Sequence, residues 1–383
     1  MSYVDPGDPV QLATEVRAAF EERYDAPPAV VGRAPGRVNL IGEHTDYNAG
    51  LVLPVALPHA TYAAWSPRTD GALRVVSCQQ DDGWEGRLAD LGPGTVEGWA
   101  AYAAGVVWAL HEAGVEIGGG DLVVDGTVPL GAGLSSSAAL ECAVAIAVAP
   151  GLDRRALAAA CIRAETEMAG APTGGMDQYV ALLAEADHAL LIDFASDETR
   201  QVALDLSGHT LLVTDTRVSH ELTDGGYGSR RADCEQAAAL LGVPTLREAS
   251  LADVEAIDDE RVRRRARHIV TEIERVTATV DALDRGDWAR MGELFLASHA
   301  SMRDDFEIST PELDAAVAVA VEAGAVAARM TGGGFGGSSV AIVPEERVEA
   351  VMRAIDATFV LEGFASPAHL RAEPSVGAGI MSS

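Results

Sequence analysis

The stretch VPLGAGLSSSAALECA, Val128 to Ala143, reads as the end of a strand, a glycine-rich turn, three serines and then a run of helix formers. That order aims unpaired backbone N–H groups and the positive end of a helix dipole at one spot, which suits an anion. Gly131 and Gly133 let the chain pass close to a phosphate with no side chain in the way. Ser135, Ser136 and Ser137 can donate to phosphate oxygens or offer neutral oxygens to Mg²⁺. Read alone, the same pattern also fits an ordinary serine N-cap after a glycine turn. All 28 basic residues of the chain are Arg; there is no Lys. A Walker A loop, which needs Lys at the phosphates, is therefore excluded, as is a Lys Schiff base.

Outward from this stretch, the pattern predicts helices over Val10 to Tyr24, Trp99 to His111, Ser135 to Ala147 and Arg154 to Met168. Short apolar runs separated by Gly, Pro and Asp predict strands at 29–31, 37–41, 51–55, 62–65, 73–76 and 122–128. Beyond residue 185, strands are expected at 189–194, 211–214, 325–330 and 339–343. Helices are expected over 229–241, 259–283, 288–302 and 311–323. Strand and helix runs do not alternate regularly, so the fold class is α+β. A length of 383 residues implies two domains, drawn at 1–185 and 186–383.

The formal net charge of −30 argues against nucleic-acid or membrane partners. No segment reaches the roughly 18 uninterrupted apolar residues of a membrane helix, and the N-terminus lacks a signal-peptide pattern. A cytoplasmic, monomeric protein is expected. The four cysteines are widely spaced with no C-x-x-C pair, which gives zinc and dithiol chemistry no support.

Three further segments carry chemistry. In GRVNLIGEHTDYNAG, Gly36 to Gly50, a strand-like run meets Glu43, His44 and Asp46, with Arg37 just upstream. This acceptor-rich set fits a polyol better than an anion. In AETEMAGAPTGGMDQYVAL, Ala164 to Leu182, Glu165 could give Mg²⁺ a hard oxygen. Asp177 follows a Gly-Gly turn, either as a helix-capping residue or as a carboxylate poised near the phosphate loop. A guanidinium at Arg37 near Asp177 would hold that carboxylate ionised and offset charge on a phosphoryl group in flight. MTGGGFGGSSVAIV, Met330 to Val343, is a glycine-rich hairpin or a loop that a ligand can approach.

These motifs together resemble the galactokinases of the GHMP family of small-molecule kinases. GRVNLIGEHTDYNAGLVLP is similar to the family signature almost residue for residue. PLGAGLSSSAALE is similar to its phosphate loop, TGGGFGGSS to its third motif, and AGAPTGGMDQY to the segment with the catalytic Asp. SHASMRDDFEISTPELD, Ser298 to Asp314, also resembles the family's C-terminal half. The resemblance implies a ribosomal-protein-like N-terminal domain and a second α/β domain, with the active site between them. It also allows the last strand, after about residue 370, to return to the first domain. It implies Asp177 as catalytic base and Arg37 as its charged partner. Arg37, Glu43, His44, Thr45, Asp46, Gly174, Asp177 and Tyr227 fall where the family contacts sugar. Gly131, Ala132, Gly133, Leu134, Ser135, Ser136 and Ser137 match its ATP phosphate loop; Ser77 and Trp99 fall near the nucleotide. Ser137 and Glu165 match the Mg²⁺ ligands. Ala132 stands where many relatives have glycine, which matters only if that backbone needs a positive φ. The implied reaction is ATP-dependent phosphorylation of galactose at C1. The rivals are a kinase of N-acetylgalactosamine or arabinose, a non-catalytic galactose and ATP sensor, and a mevalonate- or homoserine-type kinase. The last should show basic residues in place of Glu43 and Asp46.

Overall fold

The computed structural model describes residues 3–171, 173–218 and 225–382. Helix α1 (Pro9–Tyr24) leads into β1 (Val30–Asn39), then β2 (Leu51–Val52), β3 (Pro54–Pro67), β4 (Ala72–Ser77) and β5 (Trp84–Arg87). Helix α2 (Ala100–Glu112), β6 (Gly120–Gly126), α3 (Ser136–Val148), α4 (Arg154–Arg163) and α5 (Met176–Leu183) follow. The second half runs β7 (His188–Asp193), β8 (Glu198–Ala203), β9 (His209–Asp215), α6 (Gly226–Leu241), α7 (Leu251–Glu255), α8 (Glu260–Arg285) and α9 (Trp288–Ser301). It ends with α10 (Pro311–Glu322), β10 (Ala327–Thr331), β11 (Ser338–Pro344), α11 (Val348–Glu362), β12 (Ala368–Ala372) and β13 (Gly379–Ile380).

The strands form a six-stranded sheet in the order β13-β1-β3-β6-β4-β5, a four-stranded sheet β10-β11-β9-β12 and a three-stranded sheet β2-β7-β8. Alternation along β3 sorts the two faces of the first sheet. Ala60, Tyr62 and Ala64 pack with Val16 and Phe20 of α1. Ala63 and Trp65 pack with α2, α3 and α4 on the other face. The chain's last strand pairs with its first, Gly32 opposite Ile380. The three-stranded sheet joins residues on either side of position 185, Leu51 lying opposite Asp193. A shared core also crosses that position, with Val38, Leu40 and Leu53 packed among Leu211, Val213 and Val340. No helix among the described residues is long and apolar enough to cross a membrane.

Two expectations need correction. The runs at 29–31 and 37–41 are one strand, and 51–55 with 62–65 are in the main the long β3. The glycines between the first two runs do not break pairing; they admit a neighbour. A Cβ at Gly32 would lie 2.4 Å from the Ala143 carbonyl oxygen, and one at Gly36 would lie 2.7 Å from that of Leu134. Helix α3 and its leading loop therefore rest directly on β1, and a register irregularity between Pro35 and Arg37 turns the strand's end toward them. Strands β5, β8 and β12 lie outside the expected runs, whereas β13 is the last strand that the resemblance allows to return to the first domain. WEGR and ETRQVA are half-exposed edge strands, and such strands need no apolar run.

Candidate active site

Where β1 ends, the N-termini of α3 and α5 and the β10–β11 loop converge on one cavity of about 920 Å³. Its polar end carries Arg37, Glu43, His44, Asp46, Asp177 and Tyr227. Its middle is lined by Gly131, Gly133, Leu134, Ser135, Ser136 and Ser137. Its far end is mostly apolar, with Val96, Trp99, Leu140 and Met168.

The Arg37 guanidinium holds Asp177 in a two-pronged ion pair, Nε donating to Oδ1 at 2.8 Å and Nη2 to Oδ2 at 2.9 Å. Its third arm, Nη1, donates to the Gly133 carbonyl at 2.6 Å. One side chain thus ties α5 to the phosphate-loop backbone, 96 residues along the chain from Arg37. The Ser135 hydroxyl also donates to Asp177 Oδ2. Ser135 stands at the N-cap of α3 yet makes no side-chain cap, because its hydroxyl is given to Asp177. Asp177 is not a capping residue either: Gly175 takes that position, and Asp177 lies in the first turn. Ala132 has no positive φ, unlike Gly131 and Gly133. Its methyl is buried in the apolar core and its carbonyl accepts from Ser338 Oγ at 2.7 Å. The two glycine-rich motifs touch backbone to backbone; a Cβ at Gly332 would sit 3.0 Å from the Gly133 oxygen.

At the polar end the acceptor set divides. Glu43 is buried against the fully buried Arg329 and accepts at Oε1 from Thr331 Oγ1 (3.2 Å) and Gly332 N (3.1 Å). Burial pushes its carboxyl pKa up, against the pull of Arg329. His44, at φ +64°, has both ring nitrogens engaged. Nε2 lies 3.0 Å from the Gly333 carbonyl, which can only accept, so Nε2 carries the proton and Nδ1 accepts from Tyr47 Oη at 2.8 Å. Burial, and then the neighbouring His268, lower its pKa to about 3, so the ring is neutral. Both His44 ring nitrogens are taken within the protein, and the Tyr227 ring lies tilted by 34° against it with centroids 4.9 Å apart. Asp46 lines the cavity with no ion pair among the described residues. Burial, and then the Asp177 charge, push its pKa up to about 6. Gly174 makes room for it: a Cβ there would lie 2.3 Å from Asp46 Oδ2.

Five candidates do not line the cavity: Thr45, Ser77, Ala132, Gly174 and Glu165. Thr45 Oγ1 donates to the Gly42 (3.0 Å) and Leu51 (2.6 Å) carbonyls and closes its own turn. Ser77 is buried at the end of β4, where its hydroxyl accepts from Gln79 N at 3.1 Å. The loop from Gly94 to Tyr102 walls that side of the cavity instead. Glu165 sits just behind the cavity wall. The helix widens into a π turn over Ala164–Met168, a device frequent at functional sites. Glu165 Oε1 there accepts from Ser137 Oγ at 3.0 Å, while Oε2 accepts from Thr173 Oγ1 and Gln178 Nε2. Burial raises its pKa.

Sequence reasoning missed Arg329, the partner of Glu43. Its signal was a lone charge inside the apolar strand AARMT just before the third motif. It also missed Glu141, the lone charge in the apolar helix α3, and Gln178, which carries no signal of its own.

The chain matches the galactokinase galactose-binding signature over residues 18–67. It also matches the GHMP kinase N-terminal domain over 101–185 and the C-terminal domain over 279–361. It is 50% identical over 379 residues to a galactokinase of Streptomyces coelicolor, covering 96% of this chain and 98% of that one. The chain belongs to the galactokinase family. The crystal structure of Lactococcus lactis galactokinase complexed with galactose superposes with a TM-score of 0.91 at 30% identity, covering 96% of this chain and 99% of that one. The Methanococcus jannaschii mevalonate kinase (TM-score 0.65, 16% identity, 90% and 98% covered) shares the fold alone. The fold is thus the GHMP kinase fold, and the family makes ATP the phosphoryl donor.

Proposed function

We propose that the cavity binds galactose at its polar end and ATP along the serine loop and apolar end, and transfers the γ-phosphoryl group to the sugar's C1 hydroxyl. The observation that carries this reading is the Arg37–Asp177 pair, set between Asp46 and the N-terminus of α3. The sugar oxygen attacks the γ-phosphorus, the bond to the β,γ-bridging oxygen breaks and ADP leaves. Asp177 takes the hydroxyl proton. Its two oxygens offer about four acceptor sites. Among the described residues three are taken, by Arg37 Nε on Oδ1 and by Arg37 Nη2 and Ser135 on Oδ2. The site that remains is on Oδ1, and the proton goes there. Arg37 supports the ionised carboxylate before transfer and faces the charge that gathers on the phosphoryl oxygens. Asp46 accepts from a sugar hydroxyl, and Tyr227 and His44 give the ring an apolar wall.

Ser137 and Glu165 fit a Mg²⁺ ion. They are hard oxygen donors 3.0 Å apart at the phosphate loop, and among the described residues no guanidinium pairs with Glu165. Among the described residues no group of three or more His, Cys, Asp or Glu gathers there, which suits an ion that takes much of its shell from phosphate and water. When bound, Mg²⁺ would neutralise phosphate charge and orient the chain of phosphates.

An N-acetylgalactosamine or arabinose kinase has no observation in its favour. The Arg37–Asp177 pair beside the serine loop speaks against a binding-only sensor. The test is ADP release with galactose, set against glucose, N-acetylgalactosamine and arabinose, for the wild-type chain and Asp177→Asn. Galactose should be preferred, and the variant should bind galactose without turnover. An active Asp177→Asn enzyme overturns the assignment.

A further inference from the structure

Behind the serine loop lies a polar cluster that the reaction does not use. Glu141 is fully buried in α3, and so is Gln178 in α5. The Gln178 amide nitrogen is shared, donating to Glu141 Oε2 at 2.9 Å and to Glu165 Oε2 at 2.7 Å. Glu141 Oε1 and Gln178 Oε1 have no hydrogen-bond partner among the described residues. Burying a carboxyl and an amide with two unmet oxygens is costly, and an apolar pair of the same shape would pack α3 on α5 at least as well. The cluster is therefore poorly explained as packing. What it does accomplish is directional. Thr173 Oγ1 (2.6 Å) and Gln178 together saturate the inner oxygen of Glu165, so that only Oε1 faces Ser137 and the cavity. Glu141 in turn fixes which way the Gln178 amide points.

We propose that Gln178 and Glu141 are positioning residues for the divalent cation: the buried pair orients the Glu165 carboxylate so that one oxygen is presented beside Ser137. The inference rests on the reading of Ser137 and Glu165 as the cation's ligands. Outer-shell partners of this kind change metal affinity about 10- to 100-fold when removed.

The probe is Mn²⁺ in the presence of ADP, with free aquo-Mn²⁺ followed by electron paramagnetic resonance on the full chain. Galactose affinity is measured by calorimetry in parallel. Gln178→Met should weaken Mn²⁺ about tenfold or more and leave galactose affinity within about twofold. Glu141→Leu should weaken Mn²⁺ in the same direction. Glu141→Gln keeps an acceptor oxygen for the Gln178 amide and should restore Mn²⁺ affinity to within about threefold of wild type. Glu165→Gln is the control on the underlying reading. If it leaves Mn²⁺ affinity unchanged, the cation-ligand assignment fails. If it weakens Mn²⁺ while Gln178→Met does not, the ligand assignment stands and the positioning proposal is overturned. An equal loss of Mn²⁺ and galactose affinity in Gln178→Met marks a structural role and overturns it as well. Should Gln178→Met not fold, the contrast between Glu141→Leu and Glu141→Gln decides by the same criterion.

Discussion

Replacing Arg37 by Met keeps most of the side-chain volume and removes only the guanidinium, so it isolates the charge on which the proposed reaction depends. Three hydrogen bonds are lost, two to Asp177 and one to the Gly133 carbonyl. Taking one partner from a buried ion pair costs about 3–5 kcal/mol. Arg37 is 7% exposed and Asp177 19%, so water can solvate only part of the orphaned carboxylate. The low end, about 3 kcal/mol, is then the fitting magnitude. This is a cost to the folded state, so it is read in unfolding rather than in rate. Loss of the positive charge facing the phosphoryl group acts on the rate, and a single lost donor of that kind costs about 10²–10³ in turnover. The variant should therefore retain at most about 1% of wild-type kcat. Galactose affinity should fall much less, because the Asp46 contact survives. Coupled ADP release gives kcat and KM, calorimetry gives galactose affinity without nucleotide, and thermal unfolding checks the fold. Arg37→Lys restores a point charge without the two-pronged geometry and should recover only part of the loss. A folded Arg37→Met enzyme with kcat within about tenfold of wild type would refute the reasoning, since one decade is too little for the lost donor just described.

Asp46 should set a pH limit on sugar binding: the acceptor form exists above its pKa of about 6 and is lost below it, so galactose KM should rise as pH falls through 6. Asp46→Asn should flatten that profile. Because folding raises this pKa, ionised Asp46 destabilises the fold from pH 3.8 upward, so the same variant should unfold at a higher temperature than wild type at pH 8, with the difference vanishing below pH 3.8. Gly174→Ala places a methyl 2.3 Å from Asp46 Oδ2 and should raise galactose KM about tenfold (1.4 kcal/mol) while leaving ATP KM near wild type; equal effects on both would contradict the placement of Asp46. Arg329→Met strips the charge that faces Glu43 and Glu272 and should destabilise the protein by about 3–5 kcal/mol in urea unfolding; a loss under 1 kcal/mol would mean that the buried carboxylates do not depend on it.

What the sequence discloses here depends on whether a residue's partner is near it in the chain. The phosphate loop is legible because strand end, glycines, serines and helix start are contiguous in the chain, although Arg37, Asp177 and Ser338 from elsewhere also hold it. Helix spans are legible for the same reason, since 3.6-residue periodicity is local. Strand β1 is not, because GRAPGR reads as a break until α3 is known to lie on Gly32. Composition picks out Glu43, His44 and Asp46 as a group but cannot say which of them is free. That is decided by Arg329, 286 residues from Glu43, by the Gly333 carbonyl, 289 from His44, and by Asp177, whose charge helps to hold Asp46 near neutrality. Three acceptors that look equivalent in sequence thus become a tethered carboxylate, a neutral ring and one titratable ligand group. The division follows from burial: a carboxylate that loses water must find a cation or keep its proton, and of Glu43 and Asp46 only Glu43 is ion-paired with a buried guanidinium among the described residues. On the proposed reading, selectivity for a polyol at this end of the cavity would rest on Asp46, and it is the long-range pairing of Glu43 that leaves Asp46 for that role.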